Sequence, residues 1–250
     1  MTIIIPMAGL SSRFFEAGYM VPKYMLYIID KSLFNIVLGS FKACFDACNF
    51  LFIARDMFDT KTFISNECKL LGIKNFSTVI LPSPTRGQAE TVIKGLEFAK
   101  LSTDESILIF NIDTFRPNYT VPSGIDLWDG YLEVFKGSGT NWSYAKTETP
   151  DSTKVIETAE KREISDNCST GLYFFKKTEL FINAYNSEIW DMDKKLKELY
   201  VAPLYNKLIR DGLNIHIHVI NRDEVVICGT PQEYVDYLMA QVAGKIRGTL

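Results

Sequence analysis

Short, wholly apolar runs alternate with helix-periodic segments along the first half of this chain, and that rhythm constrains its fold more than any other feature. Ile3 to Ile5, Phe50 to Ala54, Val79 to Leu81 and Ser106 to Phe110 read as buried strands. Between them, Ser32 to Phe45, Lys61 to Leu71 and Gln88 to Ala99 carry apolar residues at helical spacing. Strand-helix-strand repetition predicts right-handed crossovers and an α/β fold with a mostly parallel sheet flanked by helices on both faces. Such sheets bind ligands beyond the carboxyl ends of their strands, so the residues just after each apolar run are the candidates for chemistry.

After Pro117 the rhythm changes. Tyr131 to Phe135, Trp142 to Lys146, Thr153 to Thr158 and Thr170 to Phe175 predict strands with no helices between them, hence an antiparallel or mixed region suited to a lid or a second substrate. Helices are expected at Thr178 to Tyr185 and Leu199 to Arg210, and strands at Asn214 to Ile220 and Glu224 to Cys228. A final helix opens with Thr230 as N-cap, Pro231 at the first helical position and Glu233 completing a capping box.

The 250 residues contain no repeat, low-complexity tract or linker, which suits a single domain over 1–250. A net charge of −3 gives no reason to expect nucleic acid or an anionic membrane as partner, so any anionic ligand must be held by a local cluster of donors. Neither a leader pattern nor an apolar run of the ~20 residues that cross a bilayer is visible, and a cytoplasmic protein is expected. Cys44 and Cys48, two of five scattered cysteines, stand at i,i+4 among apolar neighbours and read as buried thiols of a reducing compartment.

The strongest local signal follows the first strand: Pro6-Met7-Ala8-Gly9-Leu10-Ser11-Ser12-Arg13-Phe14, then Gly18, then Val21-Pro22-Lys23. Small side chains let backbone N–H groups approach an anion closely, and such a concave array is a phosphate site. Arg13 can donate a forked pair of bonds to phosphate oxygens, and Lys23 supplies a compact charge. Further on, Thr85-Arg86-Gly87-Gln88 opens a helix; Gly87 permits close backbone approach, and the Gln88 amide both donates and accepts, as a base edge requires. The fourth strand ends in Phe110-Asn111-Ile112-Asp113-Thr114, where Asp113 is placed to hold a divalent cation against phosphate oxygens.

These segments resemble the nucleotidyltransferase family that includes sugar-phosphate nucleotidylyltransferases and cytidylyltransferases, whose signature is G-x-G-x-R-F followed by P-K. Here it reads Gly9-Leu10-Ser11-Ser12-Arg13-Phe14 and Pro22-Lys23, with Ser11 where the family often has a second glycine. The match runs discontinuously over nearly the whole chain and is sharpest to bacterial capsule-locus members, which include cytidylyltransferases acting on phosphoglutamine. The resemblance implies a Rossmann-like, GT-A-type sheet with a nucleotide-binding half over 1–117 and an acceptor-binding half over 118–250. It implies that Met7 to Ser12 wrap a triphosphate, that Arg13, Lys23 and Asp113 are catalytic, that Gly87 and Gln88 read the base, and that Asp113 binds magnesium.

It further implies that Glu160-Lys161 and the small-residue strand at Thr170 and Gly171 contact the acceptor, with Lys161 on its phosphate. Asn111 joins that acceptor set, and Arg116, Trp142 and Tyr144 are possible acceptor contacts that core packing or surface pairing explains about as well. The family often supplies a second metal carboxylate two residues before Gly-Thr-Pro, but Ile227 holds that place before Gly229-Thr230-Pro231; Asp223, Glu224, water or phosphate must then serve. His216 and His218 share one strand face without a third ligand and read as surface residues. Asp191-Met192-Asp193 imitates a D-x-D metal motif but precedes a lysine-rich segment and reads as a solvated turn.

The expected reaction is in-line attack of an acceptor phosphate on a nucleoside triphosphate, CTP favoured, releasing pyrophosphate. L-glutamine phosphate is the sharper acceptor expectation and a sugar 1-phosphate used with UTP, CTP or dTTP the broader one. A nucleotide-sugar-dependent glycosyltransferase and a non-enzymatic nucleotide sensor are the competing classes, and the aromatic-rich middle offers a surface for a homo-oligomer.

Overall fold

The computed structural model describes residues 1–117, 119–195 and 198–248, with side chains described outside 190–197 and 245–250. In the first half the strands are β1 (Thr2–Pro6), β2 (Tyr27–Ile28), β3 (Lys31–Ser32), β4 (Asn49–Arg55), β5 (Phe76–Leu81), β6 (Ile107–Phe110) and β7 (Thr114–Phe115). Helices α1 (Ser12–Glu16), α2 (Leu33–Gly39), α3 (Thr60–Leu71) and α4 (Gln88–Ala99) lie between them. The second half adds β8 (Gly130–Lys136), β9 (Ser143–Thr147), β10 (Val155–Glu160), β11 (Asn167–Phe175), α5 (Thr178–Lys195), α6 (Tyr205–Arg210), β12 (Ile215–Ile220), β13 (Val226–Ile227) and α7 (Pro231–Gly248).

One nine-stranded sheet organises both halves, in the order β10-β9-β11-β6-β1-β4-β5, with β8 beside β11 and β12 beside β8. β6, β1, β4 and β5 are parallel, and β11 turns antiparallel against β6, so the sheet is mixed as the change of rhythm after Pro117 predicts. The β1 run explains why two helical layers form. Ile3 and Ile5 pack with Phe34, Val37 and Phe52 on one face, whereas Ile4 packs with Leu51, Val92 and Phe181 on the other. Each face removes enough apolar surface from water to hold its helices, at about 25 cal/mol per Å².

Two expected helices are shorter than their apolar spacing suggests. The Ser32 to Phe45 segment breaks after Gly39, because Ser40 gives its side chain to the Arg116 N–H (2.9 Å) and its carbonyl to the Tyr119 N–H (3.3 Å). A 3₁₀ turn at Lys42–Cys44 follows. The Leu199 to Arg210 segment becomes helical only at Tyr205, after a 3₁₀ turn at Ala202–Leu204 containing Pro203. Its first residue is spent elsewhere, since the Leu199 main chain pairs with the start of α4. Asp191-Met192-Asp193 is a correction: its backbone continues α5 and is not a turn.

The capping box at α7 forms as expected. Thr230 N donates to Glu233 Oε2 (2.9 Å) and Glu233 N donates to Thr230 Oγ1 (3.3 Å). All five cysteines are free and buried, and no helix of the described residues is long and apolar enough to cross a membrane.

Candidate active site

β1 lies between β4 and β6, so the chain leaves it toward one side and later returns on the other; its carboxyl end is the switch point of the parallel half. The Gly9 to Arg13 loop occupies that edge. Among the described residues the backbone N–H groups of Gly9, Leu10, Ser11 and Ser12 have no protein acceptor. Met7 and Ala8 are buried, their side chains packing into the clusters on opposite faces of the sheet. Ser11 sits at φ 52, in the left-handed region. That conformation costs a non-glycine residue about 1–2 kcal/mol, which gives a physical reason for the second glycine of the G-x-G-x-R-F signature. Its hydroxyl accepts from Lys23 N at 3.3 Å, tying the loop to the lysine turn.

Lys23 and Asp113 meet across the crevice, with Nζ 2.6 Å from Oδ2 and both side chains partly shielded, at 21% and 23% exposure. The Asp113 carbonyl accepts from Cys228 N (2.8 Å), and the β7–β13 pair holds this corner. The Asp113 and Glu233 carboxylates both approach Gly229, at 3.2 and 3.7 Å from where its Cβ would lie. Among the described residues no group of three metal-binding side chains exists. Ile227 pairs with Thr114, and Glu224 is turned to Arg116 (3.4 Å) and to Asn221 N (2.9 Å). The donor set therefore fits an ion that keeps most of its ligands as water and phosphate oxygens, as magnesium does at such sites.

At the start of α4, Gln88 Nε2 donates to Asn111 Oδ1 at 2.5 Å, joining that helix to the end of β6. Gly87 at φ 147 permits a close approach, and the group that makes it is the protein's own. A Cβ there would lie 2.6 Å from both N and O of Leu199. Leu199 N donates to Arg86 O, and Ala89 N donates to Leu199 O, each at 2.9 Å.

The far end of the cleft gathers charged groups. Glu160 ends β10 and accepts a hydrogen bond from Ser143 Oγ; burial raises its carboxyl pKa. Tyr173 reaches the same serine at 3.4 Å, its phenol pushed up to about 12 by burial and then by the Glu160 charge. Lys161, at φ 54, donates from Nζ to the Tyr200 hydroxyl (2.6 Å) and lies 4.8 Å from the centre of that ring. The Tyr200 phenol is raised by burial and by a hydrogen bond to Glu198, while the charge of Arg13 opposes the shift. Arg13, Lys161, Glu160, Glu198 and Tyr200 thus share one neighbourhood.

Other expected acceptor contacts lie beneath this surface. Arg116 is 3% exposed; its Nε donates to both Glu133 oxygens at 3.1 Å and its NH1 to the Pro117 carbonyl at 3.0 Å. Thr170 is buried and donates to Glu133 Oε1 at 3.1 Å, so both residues serve a buried polar knot. Gly171, at φ 89 where the β11–β8 register shifts, leaves the room that the Asn111 amide fills. Tyr144 is buried, and Trp142 packs edge-on against Phe135. His216 stacks on Trp128 and bonds Thr153 and Asn214, so it is a packed residue and not a bare surface one. Ser143, Tyr173, Glu198 and Tyr200 are the cleft residues that sequence patterning passes over; strand alternation alone marks the first two, and nothing local marks the others.

No family model and no curated protein sequence matches the chain. Among solved structures it is 51% identical to a nucleoside-diphosphate-sugar pyrophosphorylase from Vibrio cholerae RC9, over 95% of this chain and 99% of that one, with a TM-score of 0.91. A UDP-glucose pyrophosphorylase complexed with UDP-glucose shares the fold at 13% identity, over 97% and 98% of the two chains, with a TM-score of 0.73. An inositol-1-phosphate CTP transferase from T. maritima does so at 12% identity, over 96% and 95%, with a TM-score of 0.70. With a fold, a crevice and a near full-length relative in agreement, this chain belongs to the nucleoside-diphosphate-sugar pyrophosphorylase, or sugar-phosphate nucleotidyltransferase, family: enzymes that transfer a nucleoside monophosphate to a phosphorylated acceptor.

Proposed function

We propose that this nucleotidyltransferase transfers CMP from CTP to L-glutamine phosphate, releasing pyrophosphate and forming CDP-L-glutamine for capsule or other surface-polysaccharide precursors. The observation that carries the chemistry is the Lys23–Asp113 contact at 2.6 Å beside the free amides of Gly9 to Ser12. The amides and Arg13 take the triphosphate, and Lys23 offsets charge developing at the α-phosphorus. Asp113 would hold magnesium, which would supply shielding of the phosphate charge. The acceptor phosphate, with a second pKa of about 6, is already a nucleophile near neutrality and needs no general base. Residues 1–117 act as the nucleotide half and 118–250 as the acceptor half.

The choice of CTP rests on Gln88. Its Nε2 gives one N–H to Asn111, and among the described residues no protein donor takes its carbonyl oxygen, which is a free acceptor. An acceptor there suits the 4-amino group of cytosine and opposes the 4-oxo group of uracil or thymine. The choice of acceptor rests on Glu160 and Glu198 standing beside the cations Lys161 and Arg13. Cations suit a phosphate, and carboxylates suit an α-ammonium group.

A second reading is favoured by the 51% identity to a nucleoside-diphosphate-sugar pyrophosphorylase: a sugar 1-phosphate, with UTP, CTP or dTTP, whose hydroxyls donate to the same carboxylates. Pyrophosphate release from each triphosphate against phosphoglutamine and a panel of sugar 1-phosphates, with and without magnesium, separates them. Release with sugar phosphates alone rejects the amino-acid acceptor. No release with any pair rejects the reaction, and nucleotide binding without turnover, or glycosyl transfer from a nucleotide sugar, would then describe the protein.

A further inference from the structure

We infer that residues 198–200 form a strap joining the two ends of the cleft, and that Tyr200 is a positioning residue for Lys161. The inference rests on the reading above in that Lys161 is taken to meet the acceptor phosphate.

The strap is fixed at one end by its backbone. Leu199 is clamped on both sides of the α4 start, through its N–H to Arg86 and its carbonyl from Ala89, both at 2.9 Å. Gly87 has no side chain to keep that backbone away, since a Cβ would stand 2.6 Å from it. The same helix start carries Gln88, whose amide meets Asn111 at the end of β6. Any ligand that seats itself against Gln88 therefore presses on the residue next to Tyr200.

At its other end the strap acts through a side chain. Lys161 occupies an exposed turn with left-handed backbone, where four rotatable bonds would otherwise let its ammonium wander. Freezing such a chain costs up to about 2 kcal/mol of rotamer entropy. Tyr200 supplies a hydroxyl acceptor at 2.6 Å and a ring face 4.8 Å away, so the ammonium is localised before any acceptor arrives. A neutral phenol oxygen is a weaker partner for that ammonium than a phosphate dianion is. Tyr200 thus holds Lys161 in place and yields it to the acceptor. The nearby Glu198 carboxylate favours the protonated phenol, so its oxygen stays a neutral acceptor for the lysine.

Competitive labelling of lysines with acetic anhydride on the folded, full-length protein, read by mass spectrometry, tests the inference without any acceptor. In the wild type Lys161 should label more slowly than Lys74, an exposed lysine with no hydrogen bond or ion pair among the described residues. In Tyr200→Phe it should label roughly tenfold faster, the size of one hydrogen bond to a charged group, with Lys74 unchanged. Adding CTP with magnesium should change the Lys161 rate in the wild type and leave it unchanged in Tyr200→Phe. Gly87→Ala, which displaces the clamp, should uncouple them likewise; if it does not fold, Tyr200→Phe still decides. Equal Lys161 rates in wild type and Tyr200→Phe overturn the positioning role, and a nucleotide effect that persists in Tyr200→Phe overturns the strap. With an acceptor in hand, Tyr200→Phe should raise the KM for the acceptor and leave that for CTP unchanged. Labelling as expected without that KM shift keeps the strap and places the failure in the acceptor reading.

Discussion

Separating structure from chemistry at the Lys23–Asp113 pair is the most direct trial of this site. At 2.6 Å the two unit charges attract by about 6 kcal/mol in an effective dielectric of ~20. Most of that is returned as desolvation, because both groups are three-quarters withdrawn from water. A net stabilisation of about 1 kcal/mol is therefore expected, which in a chain of this length moves Tm by roughly 2–4 °C. Lys23→Met or Asp113→Asn alone strands a partly buried charge and should lower Tm by that amount or somewhat more. The double variant leaves no unpaired charge and should recover most of the loss. Turnover should behave differently: each single variant loses about 10²–10⁴-fold, the scale of one removed electrostatic contact to a transition state, and the double variant recovers nothing. Thermal melts and pyrophosphate release on the three proteins make the comparison. If the double variant regains activity together with Tm, the pair is structural and its place in catalysis is wrong.

Three further outcomes follow from the surroundings of the cleft. Arg116→Met leaves Glu133 buried without its cation and should cost about 3–5 kcal/mol in urea unfolding, with the acceptor KM of the surviving native protein unchanged; a raised KM at intact stability would restore Arg116 to the acceptor site. Gly171→Ala must hold a side chain at φ 89 and displace the Asn111 amide, so a loss of roughly 1–3 kcal/mol together with a raised CTP KM is expected, and a neutral result would mean the Asn111–Gln88 contact is not needed. Both histidines have lowered pKa values, by burial first and then by Lys154 beside His216 and Arg116 beside His218. The folded state resists their charging, so this stability is complete above the ordinary value of 6.5 and is lost as pH falls through the lowered values. Tm should drop between pH 7.5 and 5.5, and His218→Gln should flatten part of that drop; an unchanged slope would remove His218 from the account.

The sequence revealed β1, β4 and β6 almost residue by residue, because they are largely buried and read as unbroken apolar runs. The partly exposed edge strand β5 was legible only over its last three residues, Val79 to Leu81. α4 begins and ends where its pattern does, at Gln88 and Ala99. Helices failed where tertiary partners compete for backbone groups: Ser40 serves Arg116 and Tyr119, and Leu199 serves Arg86 and Ala89, none of which spacing can foresee. The same limit applies to the site. That Lys23 and Asp113 lie near one another was legible, since the loop after β1 and the end of β6 are expected at the same sheet edge, and the two side chains meet at 2.6 Å. Arg116 stays ambiguous in the sequence because an arginine just past a strand looks alike whether it faces the cleft or turns inward, as it does here, to Glu133. Tyr200 was invisible because its significance comes from Lys161, 39 positions away in the chain.

What unites these findings is the junction between β6 and β11. Up to β6 the sheet is parallel, and every strand presents its carboxyl end, with its loop, to the same edge. Phosphates can be gathered there by backbone amides without any net positive charge on the protein. From β11 onward strands run both ways, so loops no longer converge automatically, and the proposed acceptor end is assembled instead from side chains on β9, at the end of β10 and on the strap. Asn111 at the end of β6, fitted into the gap at Gly171 of β11 and bonded to Gln88, is where the two modes of construction meet. An enzyme that must hold two anions in line has reason to make that seam rigid, since a displacement of ~1 Å between donor and nucleophile can cost about 10²-fold in rate.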